Sequence, residues 1–321
     1  MAKGFARYGL ASTQRPFKPA IDPLSREKTA SLFAKSLGSA LSERVDVCID
    51  SALNESKPAL FLVTGASGTG RTSVTNFILS RYSSKIGVDA KNLIIPNGGT
   101  VNHDILFVYR NWLKALEDGI AEKFIPLNDR LAAKLDSEIL RNDAGTMAPG
   151  FRGILRQLAQ VLKSHQQPHA YACRLDNVPT IDFFTAAHEI FAGIPTLCVF
   201  TAVDNASHQV AVIQPFRQHF AEEQCCLIEL ERFKGASVAS VVAARWEVES
   251  TAPIPFGTNG LTNGFDDIAR PIGRILRLVE QMLLFKTTRY GEGPIFPASP
   301  ELAFGDDEVA ALRVAMDVQN D

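Results

Sequence analysis

The sequence predicts an α/β protein: a doubly wound parallel sheet followed by a small C-terminal helical domain. Three observations predict it. Short apolar runs alternate with helical patterns over residues 58–232. A glycine-rich stretch, Gly65-Ala66-Ser67-Gly68-Thr69-Gly70-Arg71-Thr72, separates the first such run from the first helix that follows it. After Phe233 the strand signals stop and helical patterns continue alone. Alternation of this kind favours a parallel sheet, because each crossover between parallel strands is long enough to hold a helix.

With 321 residues, 46% hydrophobic and 21% charged, the chain can bury a full core and has the composition of an ordinary globular protein. A formal net charge of -2 excludes a uniformly basic, nucleic-acid-coating molecule. The charge is nevertheless uneven. Lys3, Arg7, Arg15, Lys18, Arg26, Lys28 and Lys35 stand against Asp22 and Glu27 in residues 1–36, and Asp306, Asp307, Glu308, Asp317 and Asp321 make the end acidic. The five cysteines, Cys48, Cys173, Cys198, Cys225 and Cys226, form no Cys-x-x-Cys pair. Their placement in apolar runs predicts buried, reduced thiols and a cytoplasmic protein. No apolar run reaches the roughly 18–20 residues that cross a bilayer, so no membrane partner is expected. The histidines show no metal-ligand spacing and no Gly-x-Ser-x-Gly elbow occurs, which leaves zinc and serine-hydrolase chemistry without support.

Taken in order, Pro16, Pro19 and Pro23 mark residues 1–25 as an extended arm, and a helix follows from Ser25 to about Asn54. The run Ala59–Thr64 is the first strand, buried on both faces. Val74, Phe77 and Ile78 give the next helix one apolar face. Leu93-Ile94-Ile95 predicts a second strand that ends at Pro96-Asn97-Gly98-Gly99. Ile105, Tyr109, Trp112, Leu113, Leu116 and Ile120 line a helix over about 104–123, and Phe151, Ile154, Leu155, Leu158, Val161 and Leu162 line another. Residues 125–149 read as mixed, ending in a loop. Strands over 171–178, 196–201 and 225–230 are separated by helices near 181–192 and 207–221. Beyond the sheet, helices near 236–248 and 268–285 flank a Pro/Gly/Asn-rich loop, 251–265. The expected divisions are therefore a basic N-terminal arm and helix (1–57), a nucleotide-binding α/β domain (58–235), and a helical lid with an acidic tail (236–321).

The chemistry is carried by the glycine-rich stretch. A strand, a glycine loop and a helix start bring backbone N–H groups and a positive helix end to one point, which suits a nucleotide's phosphates. The residues Gly65, Ala66, Ser67, Gly68, Thr69, Gly70, Arg71, Thr72 and Ser73 are the candidate ATP contacts. The stretch fits Gly-x-x-x-x-Gly-Lys-Thr, except that Arg71 stands in place of Lys. A planar guanidinium keeps the charge but not the compact ammonium. The Thr72 hydroxyl is the candidate Mg²⁺ ligand. A second candidate ligand is Asp176, ending the strand in Cys173-Arg174-Leu175-Asp176-Asn177. Asn177 follows it, and an amide can orient a water without accepting its proton.

These residues, with Cys198-Val199-Phe200-Thr201-Ala202-Val203-Asp204 and the helical extension, make the chain resemble AAA+ ATPases and their STAND-type relatives over about 55–290. The resemblance implies a strand order of 5-1-4-3-2, ATP held between sheet and lid, and assembly into homo-oligomers or complexes with partner proteins. It also implies roles. Thr201 matches a polar sensor, against an ordinary strand-end threonine. Arg217 matches an arginine finger, against an exposed helical arginine. Arg274 matches a lid sensor; Arg270, Arg274 and Arg277 would share one helix face, against a merely solvated basic face. With Arg71 and Asn177 as they are, the reading is a nucleotide-dependent switch or assembly factor with slow or absent hydrolysis. The alternative is a DNA-associated AAA+ ATPase of the origin-recognition or transposition-regulator kind, contacting nucleic acid through the basic arm. A small-metabolite kinase and a scaffold that has lost its nucleotide complete the competing readings.

Overall fold

The first strand, β1 (Pro58–Gly65), is buried along its whole length, as its unbroken apolar sequence requires. It belongs to a computed structural model that describes residues 5–11, 16–17, 39–88, 97–101, 105–140, 149–167, 169–175, 181–220 and 225–320. The chain divides into two units. One comprises Ala40–Gly65 and Val74–Glu229; the other comprises Met1–Ser39, Ala66–Ser73 and Leu230–Asp321.

The first unit is built on a five-stranded sheet. Beside β1 it contains β2 (Asn97–Val101), β3 (Ala170–Leu175), β4 (Thr196–Val203) and β5 (Cys225–Leu230), in the order β2-β3-β4-β1-β5. This is the expected order read from the other edge. The β1/β4, β3/β4 and β2/β3 ladders are parallel. Its helices are α1 (Ser39–Glu55), α2 (Arg71–Lys85), α3 (Ile105–Glu122), α4 (Asp129–Leu140), α5 (Pro149–Ser164) and α6 (Ile181–Ile190). A final helix, α7, runs as Ala206–His208, a π turn over Gln209–Ile213, and Gln214–His219.

Strand periodicity decides which residues meet which helices. Leu60 and Leu62 of β1, with Cys198, Phe200 and Ala202 of β4, share a cluster with Trp112, Leu116, Leu131, Leu155, Leu158, Phe184 and Phe216. The alternate residues Ala59, Phe61, Val63, Leu197 and Val199 are buried as well, and point the other way. Val45, Cys48 and Ile49 of α1 and Val74, Phe77 and Ile78 of α2 are buried outside that cluster. Arg81 pairs with Asp46, and Lys85 with Asp50 at 2.6 Å, tying α2 to α1. Cys48, Cys198, Cys225 and Cys226 are unbridged and buried. Burial pushes the Cys225 thiol up to about 12 and Cys48 higher still, so both are inert.

Three expectations for this unit change. The second strand is Asn97–Val101, where a loop was expected, and Leu93–Ile95 lie outside the described residues. Helix α4 forms in the stretch read as mixed. Its signal was present: the Asn128 side chain caps the Leu131 N–H at 2.8 Å, and Leu131 and Leu135, one turn apart, are buried. Of the helix expected from Ser25, residues 39–55 are described and helical.

The second unit contains α8 (Ala236–Glu249), α9 (Thr258–Gly264), α10 (Ile272–Arg289) and α11 (Asp306–Asn320). Two of these replace expected loop or tail. Helix α9 lies in the sequence Thr258-Asn259-Gly260-Leu261-Thr262-Asn263-Gly264, which its glycines mark as loop. They serve close approach instead: a methyl at Gly264 would come within 2.9 Å of Val309 Cγ1, and one at Gly260 within 3.0 Å of the Asp306 Cα. The acidic tail is α11. Asp306, Asp307 and Glu308 lie in its first turn, where the helix dipole favours negative charge. Buried Lys286 pairs with Glu308 at 2.8 Å.

The N-terminal arm is also revised. Phe5–Tyr8 form a short 3-10 helix, and Phe5, Tyr8, Leu10 and Phe17 enter the core of Trp246, Leu261, Met282, Phe296 and Leu302. The Tyr8 hydroxyl donates to the Leu302 carbonyl at 3.1 Å. Arg7, one of the arm's basic residues, is 8% exposed and 3.8 Å from Glu301. The other six lie outside the described residues. Among the described residues no helix is long and apolar enough to cross a membrane.

Two outcomes follow from this packing. Tyr8→Phe removes a donor from a buried carbonyl and costs about 1 kcal/mol, whereas Tyr8→Ala leaves a cavity costing about 3–5 kcal/mol, both read by denaturant titration. Wild-type stability in Tyr8→Ala would mean the segment does not dock. Burial pushes the His169 imidazole down from 6.5 to about 4. The unfolded chain therefore holds a proton that the folded chain lacks between those values, and stability falls as pH falls through that window. His169→Phe should flatten this part of an acid-denaturation profile.

Candidate phosphate-binding loop and its helical cover

Between β1 and α2 the chain turns through Ala66–Gly70. Gly68 and Gly70 have φ of +78° and +101°, a region that side-chain-bearing residues rarely adopt. The Thr69 hydroxyl closes the turn on the Ala66 carbonyl at 2.8 Å. Helix α2 then begins at Arg71, which is half-buried; Thr72 is exposed and Ser73 buried. A helix start, where N–H groups have no acceptor one turn back, is a suitable place for an anion. The expected phosphate contacts are thus gathered on one turn and one helix start.

This loop is covered by the start of α10. The Gly273 N–H donates to the Gly68 carbonyl at 2.8 Å. A methyl on Gly68 would lie 3.3 Å from Pro271 Cβ, one on Gly70 would lie 3.4 Å from Ile272 Cγ2, and one on Gly273 would lie 3.2 Å from the Gly68 carbonyl oxygen. Added methyls at Gly68 and Gly273 would be tight, and the positive φ of Gly68 favours glycine there in any case. The bond from Gly273 occupies an acceptor of the loop and none of its donors, so it is compatible with an anion at the start of α2.

Arg274, next in sequence, makes an ion pair with Asp317 of α11, Nη2 to Oδ1 at 2.9 Å. Arg270 does not share the helix face expected for it. It precedes α10, bridges antiparallel to Phe233, and binds Asp267 at 2.7 Å and Asp317 at 3.0 Å. Arg313 completes the cluster at 2.8 Å from Asp267 and 3.5 Å from Asp317. Hydrogen bonding from Arg270 holds the Asp267 carboxyl well below its usual range. Burial alone would raise Asp317, but hydrogen bonds from Arg274 and Arg270 outweigh it and hold it below its usual value. Arg277 is exposed, donates to the Gly273 carbonyl at 3.2 Å, and lines a shallow depression with Arg274, Leu278 and Gln281.

In the sheet unit, Thr201 is half-buried in β4, opposite Val63 of β1 and Arg174 of β3. Asp176 and Asn177 lie outside the described residues. Leu175, the last described residue of β3, pairs with Ala202, the residue after Thr201. Arg217 is 48% exposed and pairs with Glu229 of β5 at 2.6 Å.

Solved structures share this fold. The ORC2 protein of Aeropyrum pernix, in its ADPNP–ADP complexes, matches at a TM-score of 0.50 and 13% identity, over 86% of this chain and 66% of that one. This chain therefore spans slightly less than two thirds of that protein. The fold is that of the AAA+ ATPases. The ADP form of the same ORC2 matches at 0.49 and 14% identity, over 94% and 72% of the two chains. Cdc6p of Pyrobaculum aerophilum matches at 0.49 and 12%, over 90% and 71%. No protein-family model and no curated protein matches the sequence.

On this AAA+ fold, sequence reasoning missed the acidic partners of the arginines. Asp317 was counted as tail charge, although Arg313 and Asp317, one helical turn apart, were a legible pair. Asp204 was also passed over as a site residue. Its N–H donates to the Gly65 carbonyl at 3.1 Å, and its carboxylate accepts from Gln209 at 2.7 Å.

The loop–helix contact predicts a stability difference. Gly87 has φ +71° with nothing within 4 Å of an added methyl, so Gly87→Ala carries only the backbone penalty of about 1–2 kcal/mol. Gly68→Ala should lose more, because its methyl also presses on Pro271. Thermal melts of the two variants give the comparison.

Proposed function

We propose that this chain is an ATP-binding protein that works as a nucleotide-dependent conformational switch or assembly factor. The observation carrying the proposal is the bond between Gly273 and Gly68: the loop suited to phosphates touches the residue before Arg274. Residues 65–73 would hold the triphosphate, with Thr72 and Asp176 as Mg²⁺ ligands. A bound Mg²⁺ would offset phosphate charge and leave Arg71 and Arg274 to position the terminal phosphate. Thr201 would orient water at the sheet edge. The roles divide as a basic N-terminal segment (1–57), a nucleotide-binding α/β domain (58–235) and a lid (236–321). Occupancy would change the angle between α/β domain and lid, since a ligand shifts an equilibrium only through contacts that differ between states.

Slow or absent turnover follows from two residues. Arg71 replaces the compact cation expected against the β- and γ-phosphates, and Asn177 cannot take a proton from water. Arg217 would act on a neighbouring copy or partner protein, after exchanging Glu229 for phosphate. A cytoplasmic setting and a STAND-like role belong to the same reading. The DNA-associated alternative rests on exposed Arg277 and on the basic arm; burial of Arg7 withdraws one of the arm's charges.

Mg-ATP at roughly 100 times its Kd should stabilise the protein by about 2.7 kcal/mol, a rise of about 4 °C in Tm. Thr72→Ala should remove the Mg²⁺-dependent part of that rise. Arg71→Lys should raise the rate of phosphate release. No thermal response to any nucleoside triphosphate, or wild-type turnover above about 10 per second, would overturn the slow-switch reading.

A further inference from the structure

Arg274 stands between the carboxylate of Asp317 and the expected place of a phosphate. It directly follows Gly273, which is bonded to the glycine-rich loop. Its guanidinium is nevertheless engaged by Asp317, 2.9 Å away, and is 39% exposed against 16% for the carboxylate. The other Asp317 oxygen, Oδ2, accepts from Arg270 at 3.0 Å and lies 3.5 Å from Arg313. Asp317 thus keeps two cationic neighbours if Arg274 leaves, and Arg270 and Arg313 are further secured by Asp267. Arg274 is also the most accessible of the three arginines, 39% exposed against 8% for Arg270 and 13% for Arg313. A partly exposed ion pair is weak, and a triphosphate offers a guanidinium more charge and more acceptor oxygens than one carboxylate.

We propose that Asp317 is a positioning residue that holds Arg274 away from the loop until a nucleoside triphosphate claims it, so that the end of α11 reports which nucleotide is bound. This rests on the reading of residues 65–73 as an ATP site with Arg274 as its lid arginine. In the diphosphate state the arginine stays with Asp317. In the triphosphate state it turns to the terminal phosphate, and the last turn of α11 loses one of its ties to α10. Linkage then requires that Asp317 weaken triphosphate binding, because the competent arginine is present only part of the time.

The test measures Mg-ATP and Mg-ADP affinity for the full chain as wild type, Asp317→Asn, Arg274→Ala and the double variant. Asp317→Asn should tighten Mg-ATP by about two- to sixfold, leave Mg-ADP little changed, and have no effect once Arg274 is alanine. Equal changes for both nucleotides, or a gain that survives without Arg274, would make Asp317 merely structural and overturn the proposal. A wild-type chain that binds neither nucleotide would instead overturn the site reading beneath it. Should Asp317→Asn fail to fold, amide hydrogen exchange of the wild type decides the matter. Mg-ATP, and not Mg-ADP, should speed exchange in the last turn of α11; the same rate with both rejects the idea.

Discussion

The hydrogen bond from Gly273 to the Gly68 carbonyl is the constraint on which the candidate site depends. It joins the loop after β1 to the first residues of α10, at a point where a methyl on either glycine would be tight. Left-handed φ values at Gly68 and Gly70 shape the turn, and the absence of a methyl on Gly273 lets the helix start sit on it. The loop consequently groups with the helical unit, although in sequence it interrupts the sheet unit. A change at the candidate phosphate loop therefore has a short covalent and hydrogen-bonded route to Arg274.

The helical unit around this contact is organised by charge as well as by burial. Asp267 and Asp317 together engage Arg270, Arg274 and Arg313, joining the segment before α10, its first turn and α11. Buried Lys286 does the same further along α10, with Glu308 at 2.8 Å and its ammonium 5.0 Å from the centre of the Phe304 ring. Buried charges of this kind stay in place only when paired, so each fixes a register between helices. Arg274 is 39% exposed against 6% for Lys286, which suits exchange of its partner.

Much of the fold was readable because the sheet's interior strands are apolar on both faces. Pro58–Gly65 and Thr196–Val203 stand out as continuous apolar runs, and helices such as α5 repeat Ile154, Leu155, Leu158 and Leu162 on one face. The candidate phosphate loop was readable for a different reason: glycine spacing records backbone conformation directly. Helices α9 and α11 were not readable in this way. Gly260 and Gly264 look like helix breakers until Val309 and Asp306 are seen pressed against them. An acidic, weakly amphipathic segment such as Asp306–Asn320 looks like a solvated tail until its charges are matched with Lys286, Arg270 and Arg274.

The amino-acid sequence alone determined the alternation of strands and helices, the order of the sheet through the family it resembles, and the turn at residues 65–72. These follow from periodicity and from local backbone preference, which neighbours in the chain decide. Only the tertiary structure decided that Tyr8 and Phe17 belong to the helical core, that Arg7 is buried, and that Arg217 and Arg274 are held by Glu229 and Asp317. Asp317 lies 43 residues from Arg274, and Leu302 lies 294 residues from Tyr8. The identity of such a partner depends on which surfaces meet, and local pattern carries no record of that.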